Sequence, residues 1–165
     1  MELYLIRHGI AAEPEDYATD EERPLTGKGR KKTGKVAKEL LKRGLHFNLI
    51  LTSPLVRARE TAAIFQDSGL TSQVDELSCL VPEGDIHACV SWLEGWRQNA
   101  ANDRCLALVG HQPDLANWAQ ILVWGNAQEK LLLKKAGVMG LNIPNSGTPI
   151  GQSQLFLLTS PKWLL

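Results

Sequence analysis

The sequence predicts a three-layer α/β protein, in which helices cover both faces of a mainly parallel β-sheet. Short apolar runs alternate with segments of helical period through residue 124, and this alternation is typical of parallel strands joined by crossover helices. Residues 106–109 are continuously apolar, as a central parallel strand should be. A turn-rich segment instead of a helix joins the last two strand-like runs, residues 138–143 and 154–158. We therefore expect these two strands to form an antiparallel edge.

Length and composition indicate one domain over residues 1–165. A chain of this length with 44% hydrophobic and 22% charged residues can bury a single core. Its formal net charge is zero, which gives no reason to expect binding to nucleic acid or to an anionic membrane. No apolar stretch has transmembrane length, and the first apolar run is too short for a signal peptide. We expect a cytoplasmic monomer.

The three cysteines are Cys79, Cys89 and Cys105, an odd number that includes no CxxC pair. This pattern argues against a disulfide framework or a zinc site and favours a reducing compartment. We expect the three thiols to pack as small buried side chains.

The first unit of the fold begins with a buried strand at residues 3–6, which ends in Arg7-His8-Gly9. Residues 10–23 carry six acidic side chains without apolar periodicity, which predicts a mobile, solvated loop. Thr26 is the predicted N-cap of the first helix, and Gly44 is its predicted end.

The outer face of this first helix, within residues 28–43, is strongly basic. It carries eight cationic side chains against Glu39 alone. They are Lys28, Arg30, Lys31, Lys32, Lys35, Lys38, Lys42 and Arg43. We interpret them as a solvated face that balances the acidic loop; the alternative is docking of an acidic protein partner.

The next units repeat the pattern of strand followed by helix. Residues 47–51 and 74–77 are predicted strands. Ser53 as N-cap, with Pro54 in the first helical position, predicts a helix that Gly69 ends. Asp85 is the predicted cap of a third helix. Two tryptophans on that helix, Trp92 and Trp96, lie four residues apart, and we expect them to pack in the core rather than to form a ligand cage. A fourth helix, packing through residues 115–123, follows the strand at 106–109.

Three junctions between a strand and a helix carry polar groups of the same kind. They are Arg7-His8-Gly9, Ser53-Pro54 with Arg57 one turn later, and Gly110-His111. Parallel strands end at one edge of the sheet, so these side chains can converge in one crevice. Two arginines, two histidines and two helix amino termini would make a basic pocket there. A small dianion, above all phosphate, fits such a pocket.

In their order and spacing, these three motifs resemble the histidine phosphatase superfamily. Only about fifty residues separate Arg57 from His111, which leaves no room for the helical insertion of the larger members. This short spacing, with Arg23-Pro24-Leu25-Thr26 and Pro82-x-Gly84-Asp85, is similar to the SixA-type phosphohistidine phosphatases. The resemblance covers nearly the whole chain.

The resemblance implies a role for each matching residue. His8 would be the nucleophile and would become phosphorylated, Arg7 and Arg57 would hold the phosphoryl oxygens, and His111 would donate a further hydrogen bond. Arg23 is a further candidate for substrate binding. No metal or other cofactor is expected, because no pair of acidic residues on these junctions resembles a magnesium site.

The general acid of the larger family members has no clear counterpart in this sequence. Glu83 and Asp85 are the nearest candidates, and we interpret them as turn and helix-cap residues. A phosphoramidate has an easier leaving group than an alkyl phosphate, because an imidazole nitrogen protonates near neutrality. We therefore expect a phosphatase for phosphohistidine in a protein, such as a phosphotransfer domain. The alternatives are a small phosphomonoester with Glu83 as acid, and a phosphate-binding module without turnover.

Overall fold

The computed structural model describes residues 1–98 and 104–165, and within them six strands form one sheet. The strands are β1 Glu2–Arg7, β2 Leu49–Thr52, β3 Val74–Glu76, β4 Cys105–Gly110, β5 Val138–Asn142 and β6 Gln154–Thr159. Their order across the sheet is β3-β2-β4-β1-β5-β6. The first four in this order run parallel, β5 is antiparallel to β1, and β6 is antiparallel to β5. The predicted parallel sheet with an antiparallel carboxyl-terminal edge is confirmed.

Helices cover both faces of this sheet. They are α1 Gly27–Lys42, α2 Val56–Asp67, α3 Ile86–Gln98, α4 Asp114–Trp124 and α5 Pro161–Leu164. The sheet has a hydrophobic core on each face, and successive residues of β1 point into the two cores alternately, as the two-residue period of a strand requires. Leu3 and Leu5 pack with α3 and α4, whereas Tyr4 and Ile6 pack with α1 and α2. The prediction of three layers is correct, and α5 is an element that the sequence analysis did not include.

Two of the three predicted helix caps are present. Thr26 Oγ1 accepts the backbone N–H of Gly29 at 2.9 Å, and Asp85 Oδ1 accepts that of His87 at 2.9 Å. The cap at Ser53 is wrong, because α2 begins at Val56 with Leu55 in the N-cap position. The Ser53 hydroxyl accepts the N–H of Leu55 at 3.3 Å, which closes a turn before the helix can start.

The acidic loop and the basic helix face are both exposed, as predicted. Residues 13–22 lie at the surface in two short 3-10 turns, Pro14–Asp16 and Asp20–Glu22. The two charged segments do not neutralise each other within the described ranges, because the ion pairs of α1 and Arg43 are made with Glu39 and Glu60. The loop has a different attachment through Asp20, described below.

The cysteines and tryptophans follow the prediction in part. All three cysteines are free thiols; Cys89 is buried, and Cys79 and Cys105 are half-buried. Trp92 and Trp96 stack with ring centroids 5.9 Å apart and pack, half-buried, against the core under α3. Within residues 1–98 and 104–165, no helix is long and apolar enough to cross a membrane.

Candidate active site

The three polar junctions converge at the carboxyl edge of the parallel strands. Arg7 is in register with Gly110 on the neighbouring strand β4, the His8 N–H donates to Gly110 O at 3.1 Å, and the Ser53 N–H donates to Val109 O at 2.9 Å. A cavity of about 310 Å³ lies there. Its lining includes all five predicted residues, Arg7, His8, Arg23, Arg57 and His111, and four others, Asp20, Pro82, Gln112 and Lys135. The lining therefore carries four permanent cations against one carboxylate.

His8 lies almost completely buried at the tip of β1, with 7% of its surface exposed. Its Nδ1 lies 2.7 Å from Gly9 O. Because a carbonyl oxygen only accepts, Nδ1 carries the proton of the neutral ring and Nε2 keeps its lone pair. Burial is the main cause that lowers the pKa of His8 to about 3, and the positive charge of Arg7 and Arg57 lowers it further. The ring is therefore neutral at pH 7 and has a nucleophilic nitrogen.

His111 is the second buried histidine of the pocket, and its ring centroid is 5.2 Å from that of His8. Its Nε2 lies 2.9 Å from Ser53 Oγ, whereas its buried Nδ1 has no hydrogen-bond partner among the described residues. Ser53 Oγ accepts the Leu55 N–H and can still donate its own proton to His111 Nε2; in that tautomer the proton of the ring lies on Nδ1. Burial, followed by the charge of Arg57, lowers the pKa of His111 to about 4.

Arg7 is held by the segment that precedes β5. Its Nη1 donates to Leu133 O at 3.0 Å, and its buried Nε has no hydrogen-bond partner among the described residues. Burial lowers the pKa of Arg7 below its ordinary value, but an arginine stays charged in proteins. The Nε of Arg7 is a buried donor without a partner among the described residues, and Nδ1 of His111 is a second one when it carries the proton of the ring; such donors are suited to the oxygens of an anion.

Gly9 allows α1 to approach the end of the strand that carries His8. A Cβ atom on Gly9 would lie 2.4 Å from Thr33 Oγ1 on α1, which no side chain could accommodate without a shift. The Gly9 N–H donates to Thr61 Oγ1 at 3.1 Å, and the Thr61 hydroxyl donates to Arg57 O at 2.8 Å. Thr61 therefore links the backbone beside His8 to the helix that carries Arg57. Its position one turn after Arg57 is the only sequence signal for this role.

Arg57 is buried, with 4% of its surface exposed, and points toward the acidic loop. Its Nη1 donates to Asp20 O at 2.6 Å and its Nη2 donates to Asp20 Oδ2 at 2.7 Å. Arg23 donates from Nη1 to the other carboxylate oxygen of Asp20 and from Nε to Ala12 O at 2.8 Å. Burial alone would raise the pKa of Asp20, but the hydrogen bonds from Arg23 and Arg57 outweigh it and lower the pKa below its ordinary value. Asp20 is therefore ionised at pH 7.

The two candidates for a general acid lie outside this arrangement. Glu83 is exposed, is absent from the lining of the cavity, and has a φ of 62°, while its N–H donates to Asp114 Oδ2 at 3.2 Å. Asp85 is exposed and caps α3. In the described part of the chain no group of three His, Cys, Asp or Glu residues could hold a metal ion. The chemistry of the cavity is that of neutral imidazoles and fixed cations.

Together, the α/β fold and this basic cavity define an enzyme that handles phosphoryl groups. The family model of the histidine phosphatase superfamily (branch 1) matches residues 3–79, a span that contains Arg7, His8 and Arg57. An uncharacterised protein of Picosynechococcus sp. is 51% identical over 169 aligned residues, 100% of this chain and 99% of that protein. Phosphohistidine phosphatase SixA of Escherichia coli is 33% identical over 95 residues, 57% of this chain and 58% of SixA. Over residues 3–79, slightly less than half of the chain, the sequence is therefore similar to the histidine phosphatase superfamily.

Solved structures show the same fold over the full length. The protein histidine phosphatase SixA complexed with tungstate has a TM-score of 0.86 at 24% identity and covers 100% of both chains. The alpha-ribazole phosphatase from Shigella flexneri has a TM-score of 0.68 at 20% identity, covering 98% of this chain and 97% of its own. The shared α/β architecture therefore extends beyond residues 3–79 and includes β4, the strand that directly precedes His111.

Proposed function

We propose that this phosphatase removes phosphate from phosphohistidine in a protein substrate, through a phosphoenzyme formed on His8. One observation carries the proposal. A buried, neutral His8 with a free Nε2 shares a cavity with three arginines, Arg7, Arg23 and Arg57. Asp20, the carboxyl group that lines this cavity, is ionised and accepts hydrogen bonds from Arg23 and Arg57. The site therefore has a nucleophile and charge stabilisation but no protonated carboxylic acid.

The reaction follows from these groups in two balanced steps. His8 Nε2 attacks phosphorus while the P–N bond to the substrate histidine breaks, and the departing imidazole takes its proton from solvent. Water then attacks the phosphorus on His8, the bond between phosphorus and Nε2 breaks, and inorganic phosphate leaves with the neutral ring restored. Phosphoryl transfer depends mainly on alignment and charge stabilisation. Arg7, Arg57 and the Nδ1–H of His111 are the donors for the phosphoryl oxygens.

The leaving group is the reason to prefer phosphohistidine. An alkoxide must be protonated as it leaves, whereas an imidazole nitrogen protonates near neutral pH without a dedicated acid. Asp20 is ionised and held by Arg23 and Arg57, and Glu83 lies outside the cavity. A small phosphomonoester is the second candidate, and the fold shared with the alpha-ribazole phosphatase favours it.

The test is a comparison of substrates with a trap for the intermediate. We expect phosphate release from a phosphohistidine peptide and from N-phosphoimidazole, and much slower release from glycerol phosphate. Enzyme quenched during turnover should carry an acid-labile, base-stable phosphoryl group on His8, located by mass spectrometry. His8→Ala should lose turnover by several orders of magnitude and keep the circular dichroism spectrum of the wild type.

A matched control is His46→Ala, which changes an exposed histidine outside the cavity. This variant should keep full turnover and the label on His8. Faster turnover of glycerol phosphate than of both phosphoramidates would reject the substrate assignment and leave the phosphoenzyme intact. A label on another residue would reject the mechanism itself.

A further inference from the structure

A second cavity, of about 490 Å³, opens beside the catalytic one. Five cationic side chains line it, and we call it the basic groove. They are Arg7, Lys32, Lys134, Lys135 and Lys162. Arg7 and Lys135 line both cavities, and no acidic residue lines the groove. The groove is thus continuous with the site where the phosphoryl group would bind.

The lysines of the groove come from separate segments that the fold brings together. Lys32 lies on α1, Lys162 lies on α5, and Lys134 and Lys135 precede β5. The backbone next to Lys135 is held against the catalytic pair, because the Ala136 N–H is shared between Arg7 O and His8 O at 3.1 Å each. Ala136 adopts a φ of 57° to make this contact, which is unfavourable for a residue with a side chain. The backbone that carries the two lysines is therefore held beside His8.

These lysines lack anionic partners within the protein. Among residues 1–98 and 104–165, none of Lys32, Lys134, Lys135 and Lys162 forms an ion pair, whereas Arg23, Arg30, Lys42, Arg43, Arg57 and Arg59 all do. Other lysines, such as Lys38 and Lys130, also form no ion pair among the described residues. The groove differs from them because it gathers cations from separate segments at one cavity. Cations of one sign gathered in a cleft attract and orient an anionic partner.

We infer that the basic groove binds an acidic segment of the phosphorylated protein substrate, next to its phosphohistidine. This inference rests on the proposed function. Ile10 and Pro161 give the groove an apolar wall for the methylene groups of glutamate side chains. The acidic loop borders the catalytic cavity through Asp20, whereas none of its acidic residues lines the groove. A long uniform polyanion crossing both cavities would meet that loop, whereas a short acidic segment on the Arg7 side would not.

The experiment compares two phosphohistidine peptides that differ only beside the phosphohistidine. One peptide carries glutamates there, and the other carries glutamines at the same positions. N-phosphoimidazole serves as the substrate without flanks. The groove variant is Lys134→Glu/Lys162→Glu, which alters two lysines absent from the catalytic cavity. The control variant is Lys38→Glu/Lys130→Glu, which makes the same change in net charge at two exposed lysines outside the groove. The readouts are kcat/KM for phosphate release and the affinity of the unphosphorylated peptides by fluorescence anisotropy.

We expect the wild type and the control variant to prefer the glutamate peptide by about tenfold, with the preference shrinking at high salt. The groove variant should lose this preference and turn over N-phosphoimidazole at the wild-type rate. The unphosphorylated glutamate peptide should bind the wild type and the control variant more tightly than the groove variant.

Two results would overturn the inference and leave the proposed function standing. One is equal turnover of the two peptides by the wild type, and the other is an undiminished preference in the groove variant. Tighter binding of a DNA oligonucleotide than of the glutamate peptide, lost in the groove variant, would also overturn it. If no phosphoramidate is hydrolysed but the glutamate peptide binds in the groove, the proposed function fails and the groove assignment to an acidic protein segment stands.

Discussion

Asp20 holds the guanidinium of Arg57 in the position where a phosphoryl group is expected. The contact is bidentate, with 2.7 Å from Nη2 to Oδ2 and 2.6 Å from Nη1 to the backbone oxygen of Asp20. The two side chains differ in exposure, at 5% for Arg57 and 53% for Asp20. A dianion that takes the donors which Arg57 now directs at Asp20 must displace an internal carboxylate, and this carboxylate is half-exposed on a surface loop.

Replacement of Asp20 by asparagine should tighten the binding of inorganic phosphate. The amide keeps the shape of the side chain but removes the negative charge that competes for Arg57, so we expect the dissociation constant to fall by about tenfold. Isothermal titration calorimetry with phosphate measures this directly. Asp16→Asn, an exposed position of the same loop, should leave the affinity unchanged. Weaker binding in Asp20→Asn would mean that the carboxylate orients Arg57 for the ligand instead of competing with it.

Arg57→Lys should lower kcat by about tenfold to a thousandfold, the range for losing one charge-stabilising donor. Lysine keeps the charge but cannot reproduce the planar pair of donors that Arg57 now directs at Asp20. Steady-state phosphate release measures the effect. Arg59→Lys is the matched control, because Arg59 is half-exposed on the same helix and pairs loosely with Glu76 at 3.5 Å. Equal kinetics for the two variants would show that Arg57 does not contact the transferred phosphoryl group.

The fold was predictable because the periodicity of apolar residues within each short segment indicates a strand or a helix. The alternation of Leu3 and Leu5 with Tyr4 and Ile6 and the polar residues at strand ends need no tertiary information. The pairing of Asp20 with Arg57 could not be predicted, because thirty-seven residues separate them and six acids of the loop look equivalent in sequence. The prediction of Ser53 as a helix cap was wrong for a related reason. Serine before proline is typical of a helix start, and only the tertiary structure brings His111 to the hydroxyl of Ser53.

The free energy of unfolding should fall as the pH drops from 7 to 5. The folded-state pKa values of about 3 for His8 and about 4 for His111 lie below the ordinary value of 6.5. Below pH 6.5 the histidines of the unfolded chain therefore bind protons that those of the folded chain do not bind. Stability that is present above pH 6.5 is lost as the pH falls toward the pKa values of the folded state. Each histidine can contribute up to about 2 kcal/mol to the loss.

Urea denaturation at several pH values checks this expectation. In the variant His8→Asn/His111→Asn the fall in stability between pH 7 and pH 5 should be smaller than in the wild type, because the two titrating rings are gone. Slopes that coincide for the two proteins would show that neither buried ring is kept neutral by the fold.

The substitution Glu83→Gln tests whether Glu83 acts as a general acid toward the leaving group. Glu83 sits at φ 62° in the turn between Pro82 and Gly84, is exposed, and is anchored by its backbone to Asp114. The turn requires glycine at position 84, since a Cβ atom there would lie 1.8 Å from Cys79 O. The turn presents Pro82 to the catalytic cavity and leaves Glu83 out of its lining. We therefore expect kcat/KM for N-phosphoimidazole and for glycerol phosphate to change by less than about twofold, as for a solvent-exposed turn residue.

The control for this substitution is Glu22→Gln, an exposed acid of the loop that does not line the cavity. It should match Glu83→Gln on both substrates. A true acid would give a different result, because it must donate a proton to an alkoxide but not to an imidazole that solvent can protonate. Selective loss of glycerol phosphate turnover in Glu83→Gln, with N-phosphoimidazole turnover preserved, would show that the carboxyl group reaches the leaving group during catalysis. The turn would then have to move on substrate binding, and a small phosphomonoester would replace phosphohistidine as the better substrate assignment.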